Sequence, residues 1–174
     1  MSFQSPDTDL KLIFPIEMEC ILKNCTPSWG DLSWALKKEY IDFQGIVSYA
    51  WARVDSSEEN IDQRIIDICF KRSSDLEFFQ MLKSLSENTP VSDEFISELA
   101  RCSLLKALDR KGSLNSLCGV VELILVEFQY PSEFHAVAQV VAGAAGRINV
   151  ETREHQEADE NMASFLLAEL RPPP

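Results

Sequence analysis

The chain has 174 residues, 45% of them hydrophobic, and carries 16 lysines and arginines against 28 aspartates and glutamates, a formal net charge of −12. The length and the apolar content suit a single domain that builds its own core. A net charge of this sign repels phosphate backbones and anionic membranes, so the composition argues against nucleic-acid or membrane binding. It favours a basic partner, although acidity that only keeps the chain in solution would explain the same count.

The cysteines and the two ends of the chain bear on where the protein works. There are five cysteines, an odd number without Cys-x-x-Cys spacing, and most lie in apolar or amphipathic stretches, as is typical of a reducing compartment. Residues 1–9 include Asp7 and Asp9 without a cationic start, which predicts a loose leader rather than a signal peptide. The longest apolar stretch, 118–128, is too short to span a bilayer. We expect a cytoplasmic protein with a frayed tail at 171–174.

Apolar residues recur at three- and four-residue spacing along almost the whole chain, which predicts an all-α fold. Pro15 is suited to the first position of a helix that would run to about Asn24. Ser28 followed by Asp31 is a variant of the capping box and predicts the start of the next helix. Asp42 is the N-cap candidate for the helix after that.

The middle of the chain continues this pattern. Residues 55–59 predict a turn, with Ser57 as the cap of a new helix. The core stripe of that helix is predicted to be Ile61, Ile65, Ile68 and Cys69. Phe70 interrupts its polar face and predicts that the end of the helix is buried on two sides. Ser74 or Asp75 is expected to cap the short helix that follows.

In the second half of the chain, the apolar spacing predicts four further helices. Ser92 and the two acids after it start one, and residues 114–128, apolar nearly all round, predict a central helix that ends at 130–131. An alanine-rich helix and a last helix at 154–170 follow. About eight helices joined by short turns predict one helical domain over residues 1–174, in which helical hairpins stack.

Residues that carry chemistry are sparse. The two histidines, His135 and His155, share no motif, and general acid–base catalysis needs a positioned histidine or paired carboxylates. The sequence lacks zinc, calcium and phosphate-loop motifs, so we expect no catalytic, metal or cofactor-binding residues and no enzyme. Glu122 and Glu127 lie in the most apolar helix. Burial would mark a functional carboxylate there, whereas a groove-facing or helix-capping role, or a pair with Arg101, would not.

Acidic residues cluster at two predicted helix starts. The first cluster comprises Asp55, Glu58, Glu59, Asp62 and Asp67. The second comprises Glu151, Glu154, Glu157, Asp159 and Glu160. Acids near a helix N-terminus stabilise the helix by up to about 1 kcal/mol each, which accounts for part of each cluster. The excess suits electrostatically steered capture of a basic protein, with the first cluster as the preferred partner-binding site and the second as the next choice.

Two local patterns carry a family resemblance. One is SWGDLSWA at residues 28–35 with Tyr49-Ala50 downstream, and the other runs from 121 to 133 and ends in FQYPSE. Over about residues 29–131 the chain resembles a bacterial family of small, acidic, helical proteins first catalogued as a domain of unknown function. Members are found beside polymorphic toxins and resemble immunity proteins, including those of contact-dependent growth inhibition.

The resemblance implies a mechanism for the protein. An immunity protein binds its cognate toxin in a 1:1 complex, as a monomer without a cofactor, and blocks the toxin's active site. Many such toxins are basic nucleases, whose substrate groove an acidic inhibitor occupies in place of phosphate. The first alternative is a helical scaffold or adaptor that binds a peptide in a groove between helices. The second is an enzyme whose site is built from dispersed residues, perhaps around Glu122.

Overall fold

The computed structural model describes residues 6–56, 60–114, 116–145 and 152–170. Within these ranges the regular secondary structure is helical throughout, which confirms the predicted all-α fold. The ten α-helices of these ranges are α1 (Pro6–Ile13), α2 (Met18–Ile21), α3 (Trp29–Lys37), α4 (Phe43–Asp55), α5 (Gln63–Cys69), α6 (Leu76–Ser86), α7 (Asp93–Asp109), α8 (Leu117–Glu127), α9 (His135–Ala145) and α10 (Thr152–Glu169). Short 3-10 turns at Lys111–Ser113 and Ser132–Phe134 precede α8 and α9.

The helices are distributed over two compact units. Residues 15–95 form one, called the middle unit below, and residues 1–14 with 96–174 form the other, called the terminal unit. In the middle unit α4 packs on α5 and α2, and α6 packs on α3 and α5. In the terminal unit α8 contacts α1, α9 and α10, and α9 contacts α10. The single domain over residues 1–174 stays a prediction.

Side-chain caps fix two helix starts in the middle unit. Ser28 and Asp31 form a complete capping box, in which the Asp31 N–H donates to Ser28 Oγ over 3.1 Å and the Ser28 N–H donates to Asp31 Oδ2 over 2.8 Å. At the start of α4, Asp42 Oδ1 accepts a hydrogen bond of 2.7 Å from the N–H of Gly45. Both caps agree with the sequence prediction.

The core of the middle unit is built from one face of each helix. Its fully buried side chains include Ile21, Leu32, Ile46, Ile68 and Phe78. Helix α4 contributes a buried face of Ile46, Val47, Tyr49 and Ala50. The Tyr49 hydroxyl donates a hydrogen bond of 2.7 Å to the carbonyl oxygen of Pro27, and its ring meets that of Trp29 edge-on at 5.2 Å. The opposite face of α4 is therefore turned to solvent.

The terminal unit is organised around α8. This helix buries Leu117, Cys118, Val120, Val121, Ile124 and Leu125. It was predicted to be central because it is apolar nearly all round, and its contacts with three other helices agree with that prediction. It ends where the Tyr130 N–H donates to the Leu125 carbonyl oxygen over 2.7 Å, with Gln129 and Tyr130 both at positive φ. In the described part of the chain, no helix is long and apolar enough to cross a membrane.

The start of the chain differs from the sequence prediction. The predicted loose leader, 1–9, is helical from Pro6, and Asp9 and Ile13 are buried. The helix expected to begin at Pro15 is reduced to the single turn α2. The reason is that the N–H of Ile16 donates to the carbonyl oxygen of Tyr40 over 2.7 Å, which holds this segment extended against the α3–α4 connection. The tail at 171–174 lies outside the described residues.

Helix α5 also begins and ends differently from the prediction. It begins at Gln63, because Asn60 has a left-handed backbone with φ 74° and Asp62 occupies the N-cap. The predicted cap, Ser57, lies outside the described residues. The expectation that the end of this helix is buried on two sides is wrong for Phe70, whose side chain is 72% exposed. Phe70 follows the last helical residue, so its ring leaves the direction of the core stripe.

Candidate protein-binding surface

The solvent-facing side of α4 forms the centre of the candidate site. Gln44, Ser48, Trp51 and Asp55 are all exposed. They follow one another at spacings of four, three and four residues, so they share one face of the helix. At 1.5 Å per residue, this face extends roughly 16 Å from Gln44 to Asp55. The buried residues of α4 lie on the opposite side, and Trp51 is not one of them.

An exposed aromatic pair lies at the C-terminal end of this face. Trp51 is 40% exposed, and the ring of Phe70 meets it edge-on with ring centroids 5.4 Å apart. Such a pair gains about 0.5–1.5 kcal/mol beyond its area burial, which holds both rings in place. The structure therefore presents a preformed apolar feature to solvent. We call Gln44, Ser48, Trp51, Asp55 and Phe70 the α4 surface.

Helix α6 adds two more exposed apolar side chains in the same unit. Leu76 and Phe79 are 71% and 48% exposed, and they lie three residues apart on one face of α6. Helix α6 packs on α5, the helix that Phe70 follows. Phe79 also meets the buried ring of Phe78 edge-on at 5.1 Å, which anchors it to the core. The middle unit thus exposes several large apolar side chains, as binding surfaces do.

Among the predicted acids, Asp62 has a structural partner. Its carboxylate accepts hydrogen bonds from the backbone N–H of Arg64 over 2.9 Å and from the Arg64 guanidinium. The side-chain hydrogen bond from Arg64 is the main reason that the pKa of Asp62 lies below its ordinary value. Asp62 is also the N-cap of α5. Its charge is therefore largely offset within the chain, and it stabilises the start of α5.

Asp67 lies on α5 and is half-buried, and Gln63 Nε2 donates a hydrogen bond of 2.9 Å to its Oδ1. The negative charge of Asp67 acts on the ammonium group of Lys71, which is ion-paired with Glu77. The hydrogen bond to Glu77 is the largest cause of the raised pKa of Lys71, and the charges of Asp75 and Asp67 add to it. Three carboxylates, those of Glu77, Asp75 and Asp67, therefore act on Lys71.

Asp55 is the last residue of α4 and is exposed. A negative charge at a helix C-terminus is unfavourable for the helix dipole, so the helix-stabilising explanation of the first acidic cluster does not apply to it. It lies close enough to Cys69 to affect that thiol. Burial raises the pKa of Cys69 in the first place, and the charge of Asp55 raises it further. Asp55 therefore lies beside the end of α5, where Phe70 follows.

The predicted partner-binding residues thus have separate roles. Because α4 packs on α5, Asp55, Asp62 and Asp67 lie on neighbouring helices. Glu58 and Glu59 lie outside the described residues. The sequence did not identify Trp51 and Phe70 as binding residues. Trp51 falls off the apolar stripe of α4, and Phe70 interrupts the polar face predicted for the α5 region but follows the last residue of that helix.

One acid of the second cluster, Asp159, has a structural role in the terminal unit. Asp159 of α10 accepts hydrogen bonds from the backbone N–H groups of Leu117 and Cys118, over 3.0 and 2.9 Å, at the start of α8. It acts there as an N-cap supplied by another helix. Glu157 and Glu160 are exposed, and the side chains at 151 and 154 lie outside the described residues. This cluster is accordingly the weaker candidate.

The described residues that were considered for catalysis lie apart from one another. Glu122 and Glu127 are both exposed, so neither is a buried carboxylate, and Arg101 forms its ion pair with the buried Glu98 over 2.6 Å. His135 is exposed at the start of α9, and the side chain at 155 lies outside the described residues. Within the described ranges, no group of three or more histidine, cysteine or acidic side chains is placed to hold a metal ion.

An apolar centre with acidic neighbours is the arrangement found in protein–protein interfaces. Aromatic side chains in such an interface supply most of the binding energy once they are desolvated, and charges around them steer association. The described structure is an all-helical chain with such a surface on its middle unit. The family described as "uncharacterized protein conserved in bacteria (DUF2247)" matches residues 18–169, and the chain belongs to this family. No curated protein and no solved structure matches the chain.

Proposed function

We propose that this protein binds a basic partner protein through the α4 surface and, in the cytoplasm, acts as an immunity protein that neutralises a toxin domain. The observation that carries the proposal is the exposed edge-on pair of Trp51 and Phe70, with Asp55 on the same face of α4 as Trp51. Aromatic rings of this kind are the residues most enriched among binding hot spots. The formal net charge of −12 adds attraction toward a basic partner.

The toxin part of the proposal comes from the sequence resemblance to immunity proteins. A nuclease is the toxin class that fits best, because its substrate groove is basic and an acidic protein competes there with phosphate. The complex would be 1:1 and would require no catalysis by this chain. The adaptor alternative differs in one measurable respect, since a peptide held in an apolar groove would bind without strong salt dependence.

Capture of a partner at low salt tests the proposal. The wild-type protein, a Trp51→Ser and Phe70→Ser double variant, and a Val126→Ser and Leu167→Ser double variant would serve as baits. The control positions are exposed apolar residues of the terminal unit. We expect wild type and control to retain one basic protein that salt releases and that is toxic when expressed alone. The α4-surface variant should lose it and fail to protect cells. Equal capture and protection by all three baits would contradict the proposal.

The acids are tested separately through the association rate. Asp55→Asn with Asp67→Asn removes two charges near the aromatic pair but leaves the Asp62–Arg64 ion pair in place. Glu122→Gln with Glu133→Gln removes two exposed charges from the terminal unit and is the matched control. We expect slower association for the first variant and a smaller salt dependence, with little change for the second. Equal association rates for the two variants would remove these acids from the proposal.

A further inference from the structure

A second feature lies at the other end of the exposed α4 face. A cleft of about 330 Å³ separates the segment 15–19 from the first two turns of α4. Its wall on α4 is formed by Gln44, Gly45 and Ser48. Gln44 and Ser48 belong to the same exposed face as Trp51 and Asp55, so the cleft continues the α4 surface along one helix.

The lining of the cleft combines apolar and acidic groups. Pro15, Ile16 and Met18 supply its apolar part, and of these Pro15 is exposed whereas the other two are almost fully buried. Glu17, Glu19 and Asp42 bring three carboxylates, and no lysine, arginine or histidine is among the described residues that line the cleft. Gly45 contributes no side chain to the α4 wall, and a Cβ there would make an ordinary contact of 3.5 Å with the Met18 methyl group.

This combination fits one kind of side chain. Arginine has a long apolar stem that packs on apolar groups such as the Pro15 ring, and its guanidinium donates to carboxylates at the same time. Aspartate and glutamate at the rim would repel a phosphate or a carboxylate. The size is at the lower end of the range of about 300–1,000 Å³ for ligand pockets, enough for one side chain rather than a folded segment.

We infer that the cleft receives an arginine side chain of the partner that binds the α4 surface. The inference rests on the proposed function for the identity of the partner, and on the lining of the cleft for the chemistry. The partner would then contact α4 at two points, the aromatic pair at one end and the cleft at the other. Two contacts on one rigid helix favour a partner whose arginine and apolar groups have the matching separation of roughly 10–15 Å.

The cleft is tested without the partner, using Nα-acetyl-arginine methylamide as the probe and the uncharged citrulline counterpart as its control. NMR titration of the wild-type protein should shift the backbone amides of Gly45 and Ser48 with the arginine probe only. A triple variant, Glu17→Gln, Glu19→Gln and Asp42→Asn, should bind the probe at least fivefold more weakly. Asparagine caps a helix nearly as well as aspartate, so α4 remains folded in this variant. Glu122→Gln, Glu133→Gln and Glu160→Gln together form the control, which removes the same charge from exposed positions of the terminal unit.

Equal shifts from the citrulline probe, shifts confined to other parts of the chain, or unchanged binding by the triple variant would each overturn the inference. A probe that binds in the cleft supports it independently of partner capture. If the wild type captures no basic protein but its cleft binds the arginine probe, the proposed function fails and the cleft remains an arginine site. The failure of one proposal is therefore distinguished from the failure of the other. With the partner in hand, the triple variant should weaken its affinity at least tenfold and the control should not.

Discussion

Oδ1 of Asp31 accepts a hydrogen bond of 2.8 Å from the backbone N–H of Ser92, sixty-one residues further along the chain. The other oxygen of the same carboxylate completes the capping box with Ser28. Ser92 in turn accepts a hydrogen bond from the N–H of Phe95 at the start of α7. One buried carboxylate therefore joins the start of α3 to the segment that begins α7.

Replacing this carboxylate should lower the free energy of unfolding much more than removing an ordinary helix cap. We expect Asp31→Ala to lower the free energy of unfolding by roughly 2–4 kcal/mol, because it leaves two part-buried backbone N–H groups without their acceptor. Asp42→Ala removes an exposed cap and should cost about 1 kcal/mol. Urea denaturation followed by circular dichroism measures both values. A cost for Asp31→Ala no larger than that for Asp42→Ala would mean that water replaces the lost acceptor.

Two helical glycines of the middle unit should respond in opposite directions to alanine. A Cβ on Gly30 would lie 2.4 Å from the carbonyl oxygen of Thr89, a backbone atom that cannot move aside easily. We expect Gly30→Ala to destabilise the protein by about 1–3 kcal/mol. A Cβ on Gly45 would have its nearest neighbour, Asp42 Oδ1, at 3.4 Å, an ordinary contact, so Gly45→Ala should stabilise by a few tenths to about 1 kcal/mol. Thermal melts of the two variants compare the signs directly, and equal signs would contradict the packing described here.

Two phenylalanines of the middle unit should differ sharply in their effect on stability. Phe78 is fully buried and meets the ring of Phe43 at 4.6 Å, so Phe78→Ala should cost about 3–5 kcal/mol. Phe70 is mostly exposed, so Phe70→Ser should cost less than about 1 kcal/mol, mainly the contact with Trp51. Chemical denaturation gives both numbers. A loss of several kcal/mol in the Phe70 variant would mean that this residue serves the fold rather than a partner.

Alkaline pH should destabilise the protein partly through Cys118. Burial, together with the nearby charge of Asp159, raises the pKa of this thiol from 9.0 to about 12. Between these values the unfolded chain releases a proton that the folded chain retains, so stability is full below pH 9 and falls as the pH rises toward 12. At pH 10.5 the loss should be on the order of 1–2 kcal/mol.

The Cys118→Ala variant provides the comparison. Other groups also titrate in this range, so the quantity to compare is the difference in unfolding free energy between pH 8 and pH 10.5. We expect a smaller difference in the variant than in the wild type. Identical differences would show that Cys118 ionises equally in the folded and unfolded chain.

The sequence determined the local structure of this protein to a large extent. Apolar spacing predicted the all-α fold, and the caps at Ser28 and Asp42 were predicted correctly because a cap depends on residues within one helical turn. The acidic composition, together with the lack of catalytic motifs in the sequence, predicted a protein that binds a partner. The start of α5 was placed too early, since the left-handed Asn60 has no distinctive pattern around it.

Only the tertiary structure decided which exposed residues lie together. Trp51 and Phe70 are nineteen residues apart, and their contact exists because α4 packs on α5 and α5 ends at Cys69. The cleft likewise depends on the hydrogen bond that holds Ile16 against Tyr40, a contact between segments that share no local pattern. Helix periodicity specifies the solvent-facing side of one helix at a time. The composition of a surface shared by several helices follows from their packing, which is set by long-range contacts that a single sequence does not display.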